Sequence, residues 1–286
     1  MPTTVEEALA VLHGYDGKAR VVGGGTDLLV ETRRGLRRPF DAVVDASRIG
    51  GLGAITEKEG FIVIGCGVTH TQIVNDATIR RYGTCLAESC GVIGGPQVRN
   101  VGTLAGNVAH ALPAGDGTIG LLALGGEIEI ASRETTRWVP VKDSFEGPGR
   151  SIIDRHRQLL TRIRFRPLGA SEGSAFHRVM RPQGLCLPII SMAARIELDS
   201  ENRIAAATIG MGPVGPVPWS AEPVAEALVG GPAVESRFAR AADVALENVQ
   251  LRASKYRATR EYRETMIRTY LPIILSTAVR RAGAPQ

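Results

Sequence analysis

Two glycine-centred segments constrain this chain more than anything else in it. Gly23-Gly24-Gly25-Thr26-Asp27 follows a short apolar run, Ala19 to Val22, and leads into Leu28-Leu29-Val30. Gly102-Thr103-Leu104-Ala105-Gly106-Asn107 closes a longer glycine-containing stretch that begins at Gly91. Each reads as a turn opening a helix. Missing Cβ atoms there let backbone N–H groups come close to a ligand, and the first helical N–H groups point unpaired toward an anion. A pyrophosphate is the guest such loops suit. Glycine supplies 34 of the 286 residues, well above the average of about 7%. Neither segment carries a common nucleotide signature. Gly23-x-Gly25 is followed by Leu28, where a Rossmann turn needs a third small residue, and no Gly-Lys-Ser/Thr follows for a P-loop. From the residues alone, a pair of plain turns stays open beside a ligand cradle.

Around these loops the pattern is mixed α and β. Thr4-x-x-Glu7 has capping-box spacing and predicts a helix with Ala8, Val11 and Leu12 on one face. Short strands are predicted at 19–22, 42–45 and 61–65. Thr69-x-x-Gln72 opens a helix expected to run to about Tyr82, and another helix contains Leu86. The stretch from Gly91 to Asn107 reads as a long loop. A short helix at 121–124 precedes strands at 127–131, 136–141 and 159–165, in the last of which Arg162, Arg164 and Arg166 alternate with Ile163 and Phe165 as a solvated face. Pro167 to Gly173 lacks periodicity and reads as a linker. Beyond it strands near 175–179, 188–198 and 204–211 are followed by helices near 221–228, 234–248 and 259–279.

Length supports two domains rather than one. No apolar stretch reaches the roughly 20 residues of a membrane helix, and the acidic start, Met1 to Glu7, does not read as a secretory signal, so a cytoplasmic setting is expected. Cys66, Cys85, Cys90 and Cys186 show no paired spacing and are expected to be reduced, buried and not metal ligands. The formal charge of +5 suits an anionic partner, but aromatic residues are only 5% and scattered, which argues against nucleic acid.

Longer motifs sharpen the reading. Val21-Val22-Gly23-Gly24-Gly25-Thr26-Asp27-Leu28-Leu29 and the run from Gln97 to Asp116, QVRNVGTLAGNVAHALPAGD, resemble the FAD-binding medium subunit of molybdenum hydroxylases, the family of carbon monoxide dehydrogenase medium subunits and xanthine dehydrogenase flavin domains. Ile64-Gly65-Cys66-Gly67-Val68-Thr69 and, near the C-terminus, Ala253-Ser254-Lys255-Tyr256-Arg257 with Glu261-Tyr262-Arg263 extend the resemblance over nearly the whole chain.

The resemblance implies an α+β chain with a vanillyl-alcohol-oxidase (PCMH)-type FAD-binding domain at 1–168, in subdomains of about 1–52 and 53–168. A C-terminal α+β domain would occupy 173–286. FAD would lie between the subdomains, with Val22, Gly23, Gly24, Gly25, Thr26, Asp27 and Leu28 on one side of the pyrophosphate. Gly102, Thr103, Ala105, Gly106 and Asn107 would lie on the other. Asp116 would accept hydrogen bonds from ribose or ribityl hydroxyls, Leu160 would pack against the isoalloxazine ring, and His177 would stand where members often have Lys or Arg near the flavin. Two departures stand out: Leu112 replaces a small polar or acidic residue, and Leu185-Cys186-Leu187 replaces an acidic-aromatic pair. The cysteine-rich insertion of the similar 4-hydroxybenzoyl-CoA reductase branch is absent between 127–131 and 136–141.

By the same resemblance, the chain would pass electrons from [2Fe-2S] clusters on a small partner subunit, through FAD, to an external acceptor. A large subunit would hold molybdopterin, and the assembly would be a dimer of heterotrimers without nucleic acid or a membrane span. A stand-alone FAD-dependent reductase of the same fold is the alternative. No catalytic acid–base residues are nominated in this chain.

Overall fold

The computed structural model describes residues 1–36, 39–181, 187–251, 253–254 and 257–283. Helix α1 (Val5–Gly14) starts where Thr4 Oγ1 accepts the Glu7 N–H, and it buries Ala8, Leu9 and Leu12. The Glu7 carboxylate accepts from the Thr3 N–H at 2.7 Å, so the predicted box closes one residue early. Strand β1 (Ala19–Val22), helix α2 (Leu28–Arg33) and strand β2 (Ala42–Asp45) follow, and the two strands pair in parallel.

Next come β3 (Ile55–Lys58) and β4 (Phe61–Gly65), then helices α3 (His70–Asn75), α4 (Ala77–Tyr82) and α5 (Thr84–Gly91). The single helix expected from Thr69 to Tyr82 is two. Asp76 has an extended backbone, ends α3 and caps α4 by accepting the Ile79 N–H at 2.8 Å, a side-chain competition with helical bonding typical of Asp. The stretch read as loop holds α6 (Pro96–Arg99), and α7 (Leu104–His110) starts inside the second glycine motif. Helix α8 (Asp116–Ala123) begins five residues before the short helix expected, and every residue in it is buried.

Strands β5 (Glu127–Ala131), β6 (Thr136–Pro140), β7 (Phe145–Gly147), β8 (Arg150–Ser151) and β9 (Leu159–Phe165) complete this part. An antiparallel sheet of order β3-β4-β9-β5-β6 results. Its inner face carries Ile62, Ile64, Ile128, Ile130, Ile163 and Phe165, all buried. Its outer face is more than solvated. Arg162 pairs with Glu129 at 2.7 Å and Arg164 with Glu127 at 2.6 Å, while the Arg164 guanidinium lies 4.3 Å from the Phe61 ring centre and 4.0 Å from that of Trp138.

The remaining chain forms β10 (Glu172–Met180), β11 (Pro188–Leu198), β12 (Ile204–Gly212) and β13 (Trp219–Ser220), an antiparallel sheet in that order. Helices α9 (Glu222–Leu228), α10 (Glu235–Asn248) and α11 (Arg260–Ala282) follow. Helices α9 and α11 pack on one face of the sheet with α10 against them, and α5 and α8 pack on the other. Enclosure between this sheet on one side and α5 and α7 on the other explains why α8, apolar nearly all round, shows no periodicity in the sequence. Alternation along β10 and β11 divides the two cores: Phe176 and Ala193 join the core of the first 168 residues, whereas Ala175, Met192 and Ala194 join a second core with α9 to α11. Polar contacts tie the two together. Glu88 accepts from the Phe176 N–H at 2.9 Å and pairs with Arg281 at 2.6 Å. Among the described residues no helix is long and apolar enough to cross a membrane.

Candidate flavin site

The glycine loops, 75 residues apart in sequence, touch backbone to backbone. A Cβ built on Gly24 would stand 2.0 Å from the Val101 carbonyl oxygen and 2.7 Å from Gly102 Cα, and one on Gly23 would stand 2.7 Å from Thr103 Oγ1. Gly24 is therefore required by the approach of the second loop itself, whatever lies above it. Gly25 adopts φ +70°, turning the chain into α2. Among the described residues the backbone N–H groups of Gly24, Gly25, Thr26, Asp27 and Leu28 meet no protein acceptor. Five consecutive donors without partners form a concavity suited to an anion.

The second loop is built more firmly. Thr103, only 4% exposed, caps α7 by accepting the Gly106 N–H at 3.0 Å. The Gly102 carbonyl accepts from the His70 N–H at 2.9 Å, and the His70 ring lies beneath it. Burial and the positive Arg99 push the His70 pKa down to about 4, and its Nδ1 has no hydrogen-bond partner. Ala105 is buried, and the Asn107 side-chain oxygen accepts from both the Thr118 N–H and Oγ1 at 3.0 Å, joining α7 to α8. At Gly106 a Cβ would stand 3.1 Å from Thr103 Oγ1, a tight contact with a side chain rather than with backbone.

Two of the expected contacts need correction. Asp116 does not present a free carboxylate to sugar hydroxyls: it is 3% exposed and accepts from Arg178 Nη1 at 2.7 Å and Ser191 Oγ at 2.5 Å. Burial pushes its pKa up, opposed by Arg178 and Ser191. His177 faces away from the glycine loops. Its ring stacks on Tyr270 of α11, centroids 4.3 Å apart, in the helical layer, and burial lowers its pKa. The neighbour on the opposite face of β10 is Arg178, which pairs with Asp116 of α8, because successive residues of a strand point to opposite faces. Arg178 also donates to the Met180 sulfur at 2.9 Å, while its Nε is buried without an acceptor. Leu160 is 5% exposed in the first core, at a register shift between β5 and β9.

Other quoted positions distribute as follows. Leu112 is exposed, at 41%, as is Leu187. Leu185, Cys186, Lys255 and Tyr256 fall outside the described residues. Arg263 is buried and donates to the carbonyls of Ile189 and Pro213. Cys66, Cys85 and Cys90 are buried free thiols, and burial pushes the pKa of the first two up to about 12. His110, the last residue of α7, was not singled out from the sequence. Its Nε2 lies 3.8 Å from an Asp27 carboxylate oxygen and 3.7 Å from one of Glu31.

A family model described as the FAD binding domain in molybdopterin dehydrogenase matches residues 1–167. A second, described as the CO dehydrogenase flavoprotein C-terminal domain, matches residues 174–278. The chain is 32% identical to the nicotinate dehydrogenase FAD-subunit of Eubacterium barkeri, over 81% of this chain and 79% of that one. It is 28% identical to the xanthine dehydrogenase FAD-binding subunit of Escherichia coli O157:H7, over 98% and 95%. A solved carbon monoxide dehydrogenase from Hydrogenophaga pseudoflava, in a form lacking the Mo-pyranopterin moiety of its cofactor, contains a chain that superposes with TM-score 0.91 at 25% identity, over 98% of this chain and 96% of that one.

Proposed function

The chain belongs to the family of FAD-binding domains of molybdopterin dehydrogenases, and we propose that it acts as a conduit, passing electrons from [2Fe-2S] clusters on a small partner subunit through FAD to an external acceptor. A large partner subunit would hold molybdopterin, in a dimer of heterotrimers. Residues 1–168 would form the FAD-binding domain, with subdomains of about 1–52 and 53–168, and residues 173–286 the C-terminal domain.

The observation that carries this reading is the loop seam. Five unpartnered backbone donors, from Gly24 to Leu28, open beside the start of α7. Such a donor row fits a diphosphate and offers nothing to a cation. FAD supplies the ability to take up and release electrons, and the protein's part is binding, orientation and electrostatics. Val22 to Leu28 would hold the diphosphate from one side, and Gly102, Thr103, Ala105, Gly106 and Asn107 from the other. Leu160 would supply an apolar contact. Arg178 would direct its unsatisfied Nε–H at a ligand acceptor, and Asp116 would act through Arg178, holding the guanidinium in place from 2.7 Å.

Acid precipitation of the purified protein tests the reading. All yellow colour should appear in the supernatant as FAD, because neither glycine loop contains a His or Cys to bond the flavin. FMN in the supernatant, or flavin retained on the precipitate, would overturn it. Reduction of the flavin by purine, aldehyde or heterocycle substrates should require the partner subunits, and bleaching of the lone chain would favour the stand-alone reductase.

A further inference from the structure

Helix α2 opens with the donor row, yet it buries none of its own side chains, and Leu29 and Val30 are exposed at 55% and 45%. Core packing therefore does not hold it in place. Asp27 and Glu31 are four residues apart and so lie on one face of the helix. Both carboxylates face the same group: His110 Nε2, at 3.8 and 3.7 Å. The His110 side chain is only 14% exposed, and it closes α7, the helix that the second loop opens. The Asp27 side chain caps no helix N–H, so its carboxylate is available to this contact. Helix α7 is itself anchored through buried Leu104, Ala105 and Val108.

From this arrangement we propose that His110 is a positioning residue for the flavin: held between the Asp27 and Glu31 carboxylates, it latches α2 to α7 and so fixes the row of N–H donors in the pose that retains FAD. The proposal rests on the assignment of FAD to the loop seam. The diphosphate would lie between a wall with a core beneath it and a short helix that the seam and this latch help to place. Releasing the latch frees α2 without disturbing either core. The effect therefore falls on the rate at which FAD leaves, and the stability of the FAD-free chain stays unchanged.

The test measures the dissociation rate of FAD from the full chain, by appearance of free-FAD fluorescence after dilution, beside thermal unfolding of the FAD-free protein. His110→Ala should release FAD about tenfold faster and Glu31→Gln a few-fold faster. The double variant should be no faster than His110→Ala alone, the coupling expected of partners in one contact. His110→Lys should restore slow release, and His110→Gln should not, since contacts of 3.7 and 3.8 Å to two carboxylates are electrostatic rather than hydrogen bonds. The FAD-free melting temperature should be the same in all. Parent-like release from both His110→Ala and Glu31→Gln would overturn the proposal, as would additive effects, rescue by Gln equal to that by Lys, or faster release matched by a loss of FAD-free stability. Were His110→Ala insoluble, the contrast between His110→Lys and His110→Gln decides. A parent chain that holds no FAD at all would instead refute the assignment of the site.

Discussion

The helix after the first glycine loop buries no side chain, whereas the helix after the second buries Leu104, Ala105 and Val108 and starts from a buried threonine cap. Both loops are rich in glycine and both open a helix, yet only the second has a foundation: His70 beneath Gly102, Asn107 fastened to Thr118, and α8 fully enclosed behind it. The first loop leans on the second through the contact of Gly24 with Val101 and Gly102. Glycine thus marks different physics in the two places. At Gly24 it permits one backbone to touch another, and at Gly106 it makes room for the capping hydroxyl of Thr103.

Substitution at these two glycines breaks the comparison most sharply. Gly24→Val drives a side chain into backbone that has no flexible end to yield, so the seam must part. Overpacking of this kind costs about 3 kcal/mol or more, and we expect complete loss of FAD together with a lower melting temperature. Gly106→Val presses on the Thr103 hydroxyl that caps α7, so flavin content should fall with a loss of stability no larger than that cap is worth, about 1 kcal/mol. Equal loss of stability in both variants would show that the two loops share one foundation.

Acid separates the foundations next. His70 has a folded-state pKa of about 4, below its ordinary value of 6.5, so between these limits the unfolded chain takes up a proton that the folded chain does not. Stability therefore rises with pH across the window and is lost as pH falls from about 6.5 to about 4, by about 3 kcal/mol at most. Urea unfolding of the parent and of His70→Gln at a series of pH values measures this: the variant should show a shallower fall. Identical slopes would remove His70 from the account of the second loop.

The smallest expected effect sharpens the same contrast. Thr103→Ala deletes the cap of α7, worth about 1 kcal/mol, and should lower stability by that amount with a measurable loss of FAD. Asp27→Ala should leave FAD-free stability unchanged, because the Asp27 side chain caps nothing. A stability loss at Asp27 as large as that at Thr103 would show that the first helix is anchored after all.

Much of this was legible along the chain, and the boundary of legibility is physical. Strands 19–22, 42–45, 61–65, 127–131, 159–165 and 188–198 have the bounds their apolar runs predict, because a strand's signal is local. Asp76 splits a helix through its own side chain, a local signal that helical periodicity outweighed. Helix α8 lost its front half to the absence of an exposed face, and that face is missing only because a distant sheet covers it. The glycine motifs mark the loop seam, but the side of β10 that faces α8 is decided by packing between two cores, so the sequence does not show that Arg178 turns to Asp116 while His177 turns to Tyr270. The motif alone shows Asp116 as a group for a ligand, because Ser191 and Arg178, which engage its carboxylate, lie on strands far along the chain. His110 lay in plain view within the longest motif, and only the fold shows the two carboxylates it faces.

The outer face of the five-stranded sheet, where Arg164 lies over Trp138, has an optical consequence. The chain has two tryptophans. Trp138 sits on β6 above the first core, and Trp219 sits on β13 packed against the second. Each core therefore carries its own intrinsic fluorophore, and the two are in different surroundings, one beneath a guanidinium and the other against aliphatic side chains. Replacing either with Phe leaves a protein in which emission reports on a single core, so the order in which the two halves come apart can be recorded without attaching a dye.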